Sequence, residues 1–397
     1  MELNKKTLNL IIYAAIIIFA VLFLYIGNMV ASSGASIDYP DYGIIQTAEA
    51  KVNKITDIEE LDIAGFHEKT IIFEAKLTSG ENKGKIITAE QSLGGYYGPV
   101  YNEVAEGDNV ILSMNYDGNW YFADHVRVDK IWILGVIFII LLLFFGRIKG
   151  LNAVFSLGFT CAAIFCVFIP AILSGKNIYL TAVIICVYSI LVTIFIVYGV
   201  NKKSLAAAAG CFGGVIAAGL LTLIMSAAMR LTGVLDEESL ALIYIQTEKP
   251  IDLKAIVFAG IVIGAVGAIM DVAVSISSSL SEIKAQAADM SFGALFKSGV
   301  NIGKDIMGSM TNTLVLAYIG SSLSVILLLL VKYNNSITEL LNRELIVVEL
   351  LQSLIGSLGI LLTMPLTALV CAALYSRKPK PKDDDDDDFE IDFISKI

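Results

Sequence analysis

The stretch "GAVGAIMDVAVSISSSL", Gly264 to Leu280, sets one carboxylate, Asp271, in a run of apolar and small residues. It belongs to a longer segment, Leu253 to Ser275, whose only charged residues are Lys254 and Asp271. A helix of about 20 apolar residues spans a hydrocarbon core of about 30 Å, so this segment predicts a transmembrane helix with an acid inside it. Similar runs lie at Ile131 to Phe145, Leu151 to Leu173, Ile178 to Val200, Leu205 to Met229, Ile306 to Val331 and Val347 to Leu374. The run Leu8 to Val30, behind Lys5 and Lys6, is longer than the apolar core of a signal peptide, about 7–15 residues, and reads as a retained anchor. These segments predict eight spans, which makes the fold class a polytopic α-helical membrane protein.

Composition points the same way. Hydrophobic residues make up 56% of the 397 and charged residues only 17%, with mean hydropathy +0.75, which excludes an ordinary soluble protein and makes the lipid bilayer the first partner. The net charge of −10 is localised: Ala31 to Lys130 carries 17 acids against 8 bases, and the end from Asp383 adds eight acids and one lysine. No basic patch for nucleic acid stands out. Cys161, Cys166, Cys186, Cys211 and Cys371 all fall in apolar runs, which argues against a disulfide framework or a cysteine metal site. His67 and His125, the only histidines, lie in the polar segment, so no cofactor or metal is expected in the membrane.

The chain therefore divides into an anchor, 1–30, a polar domain, 31–130, a seven-helix membrane domain, 131–376, and an acidic tail, 377–397. In the polar domain "AEAKVNKI", "TIIFEAKLT", "GKIITAEQ", "NVILSMN" and "WYFADHVRV" alternate between turn clusters, which predicts a five-stranded β-barrel of OB-like or SH3-like size. Asp117-Gly118 signals a hairpin with a type I′ turn. Lys and Arg counted in short loops give thirteen on the side of the N-terminus and six on the other. That bias sets both termini in the cytoplasm and residues 31–130 outside. The tail reads as solvated, with Phe389, Ile391, Phe393 and Ile394 as a docking peptide in the sharper reading. Leu231 to Lys254 reads as a surface loop with a short helix in "LDEESLALIYI".

Candidate polar-pathway residues follow from helical spacing. Gly260, Gly264, Gly267, Asp271, Ser275, Ser278 and Glu282 line one stripe, with the glycines suited to close helix packing and the polar groups farther along. Asp305, Ser309, Asn312, Leu316 and Gly320 share a face in the next segment, flanked by Thr313. Glu349, Gln352, Gly356, Thr363 and Thr367 share one in the last, where Pro365 predicts a kink. Gly210, Gly213 and Gly214 suit tight packing in the fifth span. Asp271, with oxygens of Ser275, Asn312 and Thr313, could exchange a proton or bind a cation, which suits a coupled transporter. Enzyme readings fare worse: no Ser/His pair lies in the membrane, and HExxH, P-loop and aspartyl-protease motifs are absent.

The stretch "GAVGAIMDVAVSISSSLSEI", with the anchor, the β-rich segment and the glycine-alanine span, resembles the YibE/F-like multi-pass membrane proteins of bacteria, over nearly the whole chain. The resemblance implies a bacterial plasma-membrane topology and singles out Asp271 without naming an activity. Two functions are expected. One is an ion- or proton-coupled transporter or export component acting on a small molecule or ion. The alternative is a membrane scaffold or envelope sensor, acting with a membrane-protein partner or as a homo-oligomer, whose β-domain binds a ligand.

Overall fold

The computed structural model describes residues 5–33, 44–63, 66–95, 102–245, 249–287, 289–332 and 336–376. The tail and its candidate docking residues lie outside them. The chain divides into two compact units, Tyr39–Leu141 on one hand and Met1–Asp38 with Leu142–Ile397 on the other.

The smaller unit is a closed barrel of β1 (Ile44–Ile63), β2 (Phe66–Leu77), β3 (Ile86–Gly95), β4 (Asn109–Asn115) and β5 (Trp120–His125), in the order β1-β2-β3-β5-β4. The parallel β3–β5 pairing and the Greek-key return of β4 to β1 give an OB-like arrangement. Two register shifts in β1, between Val52 and Lys54 and between Ile55 and Asp57, bend this 20-residue strand so that one end pairs with β4 and the rest with β2. Period-two alternation puts Ala48, Ala50 and Val52 of β1 and Ile71, Phe73, Ala75 and Leu77 of β2 in the core. Gln91 is buried among them at 2% exposure and is satisfied there: its Oε1 accepts from Val104 N–H at 2.8 Å and its Nε2 donates to Asn102 C=O at 3.1 Å.

The Asp117-Gly118 hairpin forms, but not with the expected type I′ turn. Gly118 alone of the pair has positive φ, 81°, because the loop is wider and is fastened by a side chain instead. Asp117 carboxylate accepts from Asn119 N–H at 2.9 Å and from Tyr121 O–H at 2.5 Å. The Tyr121 bond, then that of Asn119, holds Asp117 below the usual carboxylate range; Arg127 and then the His125 N–H do the same for Asp124.

The larger unit is helical. It comprises α1 (Lys5–Ser32), most of α2 (Val128–Ala163), a π-helical turn (Ile164–Phe168), α3 (Ile169–Leu173), α4 (Ile178–Tyr198), α5 (Lys202–Ala228), α6 (Glu237–Ile243), α7 (Leu253–Gln286), α8 (Phe292–Ser321), α9 (Leu323–Lys332), α10 (Ile337–Leu341) and α11 (Glu344–Ser376). Among the described residues six helices are long and apolar enough to cross a membrane, or seven if α8 and α9, bent by 59°, count as one. The helix expected at Ile306 thus starts at Phe292, where Ser291 caps it, and breaks at Ser322. α11 continues through Pro365 as one helix.

Within α2, Arg147 has non-helical φ 48°, and a Cβ on Gly150 would overlap the carbonyl of Leu142. Residues eight apart in a straight helix stand about 12 Å apart, so the chain doubles back here into helices 128–146 and 148–163. α1 is built into the unit: Phe23 stacks on Tyr188 with ring centroids 4.1 Å apart, and Asn28 Nδ2 donates at 2.6 Å to Cys166 C=O in the π-turn, where the helical ladder is interrupted. The Leu231–Lys254 connection carries α6 as expected, capped by Asp236. It is tied to the start of α11, where Glu344 accepts from Thr232 N–H and Gly233 N–H at 2.6 Å each.

Two outcomes test the barrel, both read from Trp120 fluorescence in a Trp132→Phe background. Gln91→Leu orphans the buried Val104 N–H and lowers stability by about 1–3 kcal/mol in a denaturant titration. Because Asp117 and Asp124 have depressed pKa values when folded, the stability they add is present above the ordinary aspartate range near ~3.9 and is lost as pH falls through their folded values. The contribution of these two carboxylates to acid unfolding therefore appears only below about pH 4. Asp117→Asn makes that acid limb shallower.

Candidate functional site

α4 and α7 begin side by side, with the Tyr179 and Phe258 ring centroids 5.0 Å apart, and run parallel until Tyr198 and Asp271 line the same cavity. That cavity measures about 520 Å³. α2 contributes Ser156 and Thr160, α4 contributes Ser189, Thr193 and Tyr198, and α7 contributes Gly264, Gly267 and Asp271, with apolar side chains between them. Ser156 Oγ donates to Thr193 Oγ1 at 2.8 Å, joining two walls. Lys203 Nζ stands 5.9 Å from the centre of the Tyr198 ring, so the Asp271 end of the cavity lies near the basic α4–α5 connection. Asp271 is the one carboxylate among the lining residues, and the hydroxyls of Ser156, Thr160, Ser189, Thr193 and Tyr198 line the same cavity. Among the described residues, no three His, Cys, Asp or Glu side chains come together as a metal site.

The oxygens near Asp271 are thus not those expected. Ser275 and Ser278 continue along α7 beyond the cavity lining. Asp305, Ser309, Asn312 and Thr313 are exposed on α8; Ser309 Oγ donates to Ile306 C=O at 3.0 Å and Thr313 Oγ1 to Ser309 C=O at 2.9 Å, within their own helix. α8 packs on α11 and α7 through Leu295, Gly299 and Gly303, which turns the Asp305 face away from Asp271. Glu349 lies on α11, one turn before Gln352. The residues that line the cavity instead carry a signal: Ser156 and Thr160 are four apart in one apolar run, Ser189 and Thr193 four apart in another. Each pair forms one hydroxyl face of its helix.

The glycines divide into two groups. A Cβ on Gly210 or Gly214 would overlap Thr367 Oγ1 or Thr363 Oγ1 of α11, and one on Gly213 would lie 2.6 Å from Leu366 Cδ1. Gly260, Gly264 and Gly267, expected to pack the same way, are exposed. Gly260 and Gly267 meet nothing within 4 Å, because α4, α5, α11 and α8 cover the other faces of α7 and leave this stripe open.

The sequence model of the YibE/F-like proteins matches residues 134–377, more than half of the chain. The chain belongs to the YibE/F-like family. In this YibE/F-like protein the match covers the region from α2 to α11, including Asp271, and leaves out α1 and the barrel. The expected likeness over nearly the whole chain is corrected to that extent. No curated protein and no solved structure matches it.

The two groups of glycine respond oppositely to a methyl group. Gly214→Ala costs about 1–3 kcal/mol and lowers the thermal aggregation midpoint of the detergent-solubilised protein, since Thr363 and Ile269 must move. Gly267→Ala leaves that midpoint unchanged, because its Cβ enters open space.

Proposed function

We propose that this YibE/F-like protein is a multi-pass transporter or export component in which Asp271 couples the movement of a proton or small cation to a substrate. The observation that carries this reading is the cavity itself: one carboxylate from α7 and hydroxyls from two further helices, α2 and α4, on its walls, inside a membrane domain. An acid at the centre of a hydrocarbon core costs about 2.5–3.5 kcal/mol on insertion scales, and such residues line pathways or water-filled cavities. Eight spans with both termini in the cytoplasm and the barrel outside complete the reading. The reversal at Arg147 supports two spans within 128–173, and the bend at Ser322 supports one broken span across α8 and α9.

In proteoliposomes, flux driven by a pH or Na⁺ gradient is expected for wild type and is lost in Asp271→Asn, which keeps the shape and removes the charge. Equal flux in both proteins would sink the coupling role. Accessibility tags at 174–176 and at 202 report opposite sides of the membrane, and tags on the same side would remove one of the spans between them.

A further inference from the structure

The stripe that ends at Asp271 leads to a second polar cluster. A Cβ on Gly264 would lie 3.0 Å from Tyr318 Oη of α8 and 3.2 Å from Gln352 Nε2 of α11. Gln352 Nε2 donates to Tyr318 Oη at 3.1 Å. Gly264 also lines the Asp271 cavity, so one glycine borders both polar groups. One turn before Gln352, Glu349 buries its Oε2, which has no hydrogen-bond partner among the described residues. Tyr318 stands one turn before the break at Ser322, where α8 and α9 bend by 59°. Broken helices occur in transporters where backbone lines an ion site.

α7 and α11 run parallel, since Gly264 meets Gln352 and Gly359 meets Ile269. Asp271 lies seven residues beyond Gly264 on α7, and Glu349 three residues before Gln352 on α11. At 1.5 Å per residue the two residues stand about 15 Å apart along the helix axes. Between them the α7 stripe offers Gly267, where a Cβ would meet nothing within 4 Å.

We propose that Glu349, with Gln352 and Tyr318, is a second proton-exchanging station in series with Asp271, and that protons pass between the two along the glycine stripe of α7. This rests on the coupling role given to Asp271. Gln352 and Tyr318 position the station through their mutual hydrogen bond, while Glu349 takes up the proton on one carboxyl oxygen and releases it from the same group. Glu349, one turn before Gln352 on α11, is the carboxyl group next to this pair along that helix.

The test uses the full chain. Dicyclohexylcarbodiimide, which reacts with protonated carboxyls in apolar surroundings, is expected to label Glu349 by mass spectrometry, where a water-soluble carbodiimide does not. Absence of that label overturns the proposal. Proton flux in proteoliposomes is then compared for wild type, Asp271→Asn, Glu349→Gln and Glu349→Asp. The expected result is a loss of at least tenfold in Glu349→Gln, with partial recovery in Glu349→Asp, which shows that the chain still folds. Loss in Asp271→Asn with full flux in Glu349→Gln overturns this station and leaves Asp271 standing. Loss in Glu349→Gln with full flux in Asp271→Asn does the reverse. A Na⁺ flux with no proton flux, or no flux in wild type, overturns it as well.

Discussion

Thr363 and Thr367 of α11 rest directly on the bare backbone of Gly214 and Gly210 in α5, and the arrangement of the membrane unit depends on that contact. Between helices in lipid no hydrophobic gain favours association, so the close approach of small residues and the dispersion it permits must supply the attraction. α11 repeats the device on its other sides. Gly299 and Gly303 of α8 accept Ala368 and Met364, while Gly356 and Gly359 of α11 accept Leu314 and Ile269. Thr363 loses nothing by this burial, because its hydroxyl donates to Gly359 C=O at 2.7 Å. One helix thus fixes α5, α7 and α8.

With α11 and α5 on one side and α4 and α8 beside them, α7 is enclosed on all but one stripe. The same residue type therefore has two opposite uses in this protein. On α5 glycine removes a side chain so that another helix can come close; at Gly260 and Gly267 of α7 it removes a side chain and nothing comes close. This exposed stripe carries Asp271. Asp271 is at one end of it, level with Tyr198 and the basic turn after α4.

Much of this was legible beforehand, and the rest was hidden for identifiable reasons. Apolar length announced the long apolar helices, though six, or seven with the bent pair, rather than eight are long enough to cross a membrane among the described residues, and alternation announced the barrel, because both patterns are local. Helical spacing also put Asp271 on one stripe with Gly260, Gly264 and Gly267. It could not say which helix covers that stripe, since periodicity gives a direction within a helix and not the identity of its neighbour. Asn312 and Thr313 looked like partners for Asp271 because they follow it in sequence. Ser156 and Thr193 from earlier helices line the cavity with Asp271 instead, through parallel packing of α4 and α7 that no single segment encodes. The Asp117 turn was misassigned for the opposite reason: Asp-Gly is a local signal, but the carboxylate bonds to Asn119 and Tyr121 select a wider loop.

The hydrogen bonds of the hydroxyl groups separate scaffold from candidate pathway. Thr222, Ser277, Ser357 and Thr363 each donate to a carbonyl three or four residues back in their own helix, at 2.7 to 3.2 Å. This is the cheapest way to bury a hydroxyl in lipid, and it carries no information about a site. Side-chain bonds that cross between helices are different, because each needs two polar groups placed in register on separate segments. Tyr13 donates to Asn152 at 2.9 Å, Ser156 to Thr193 at 2.8 Å, and Gln352 to Tyr318 at 3.1 Å. Asn152, Ser156 and Thr160 are spaced by four along α2, so the first two bonds belong to one polar face that ends in the Asp271 cavity. The third meets the same stripe of α7 at Gly264. Two of these three bonds thus border the same stripe of α7, the Ser156–Thr193 bond through the Asp271 cavity and the Gln352–Tyr318 bond at Gly264.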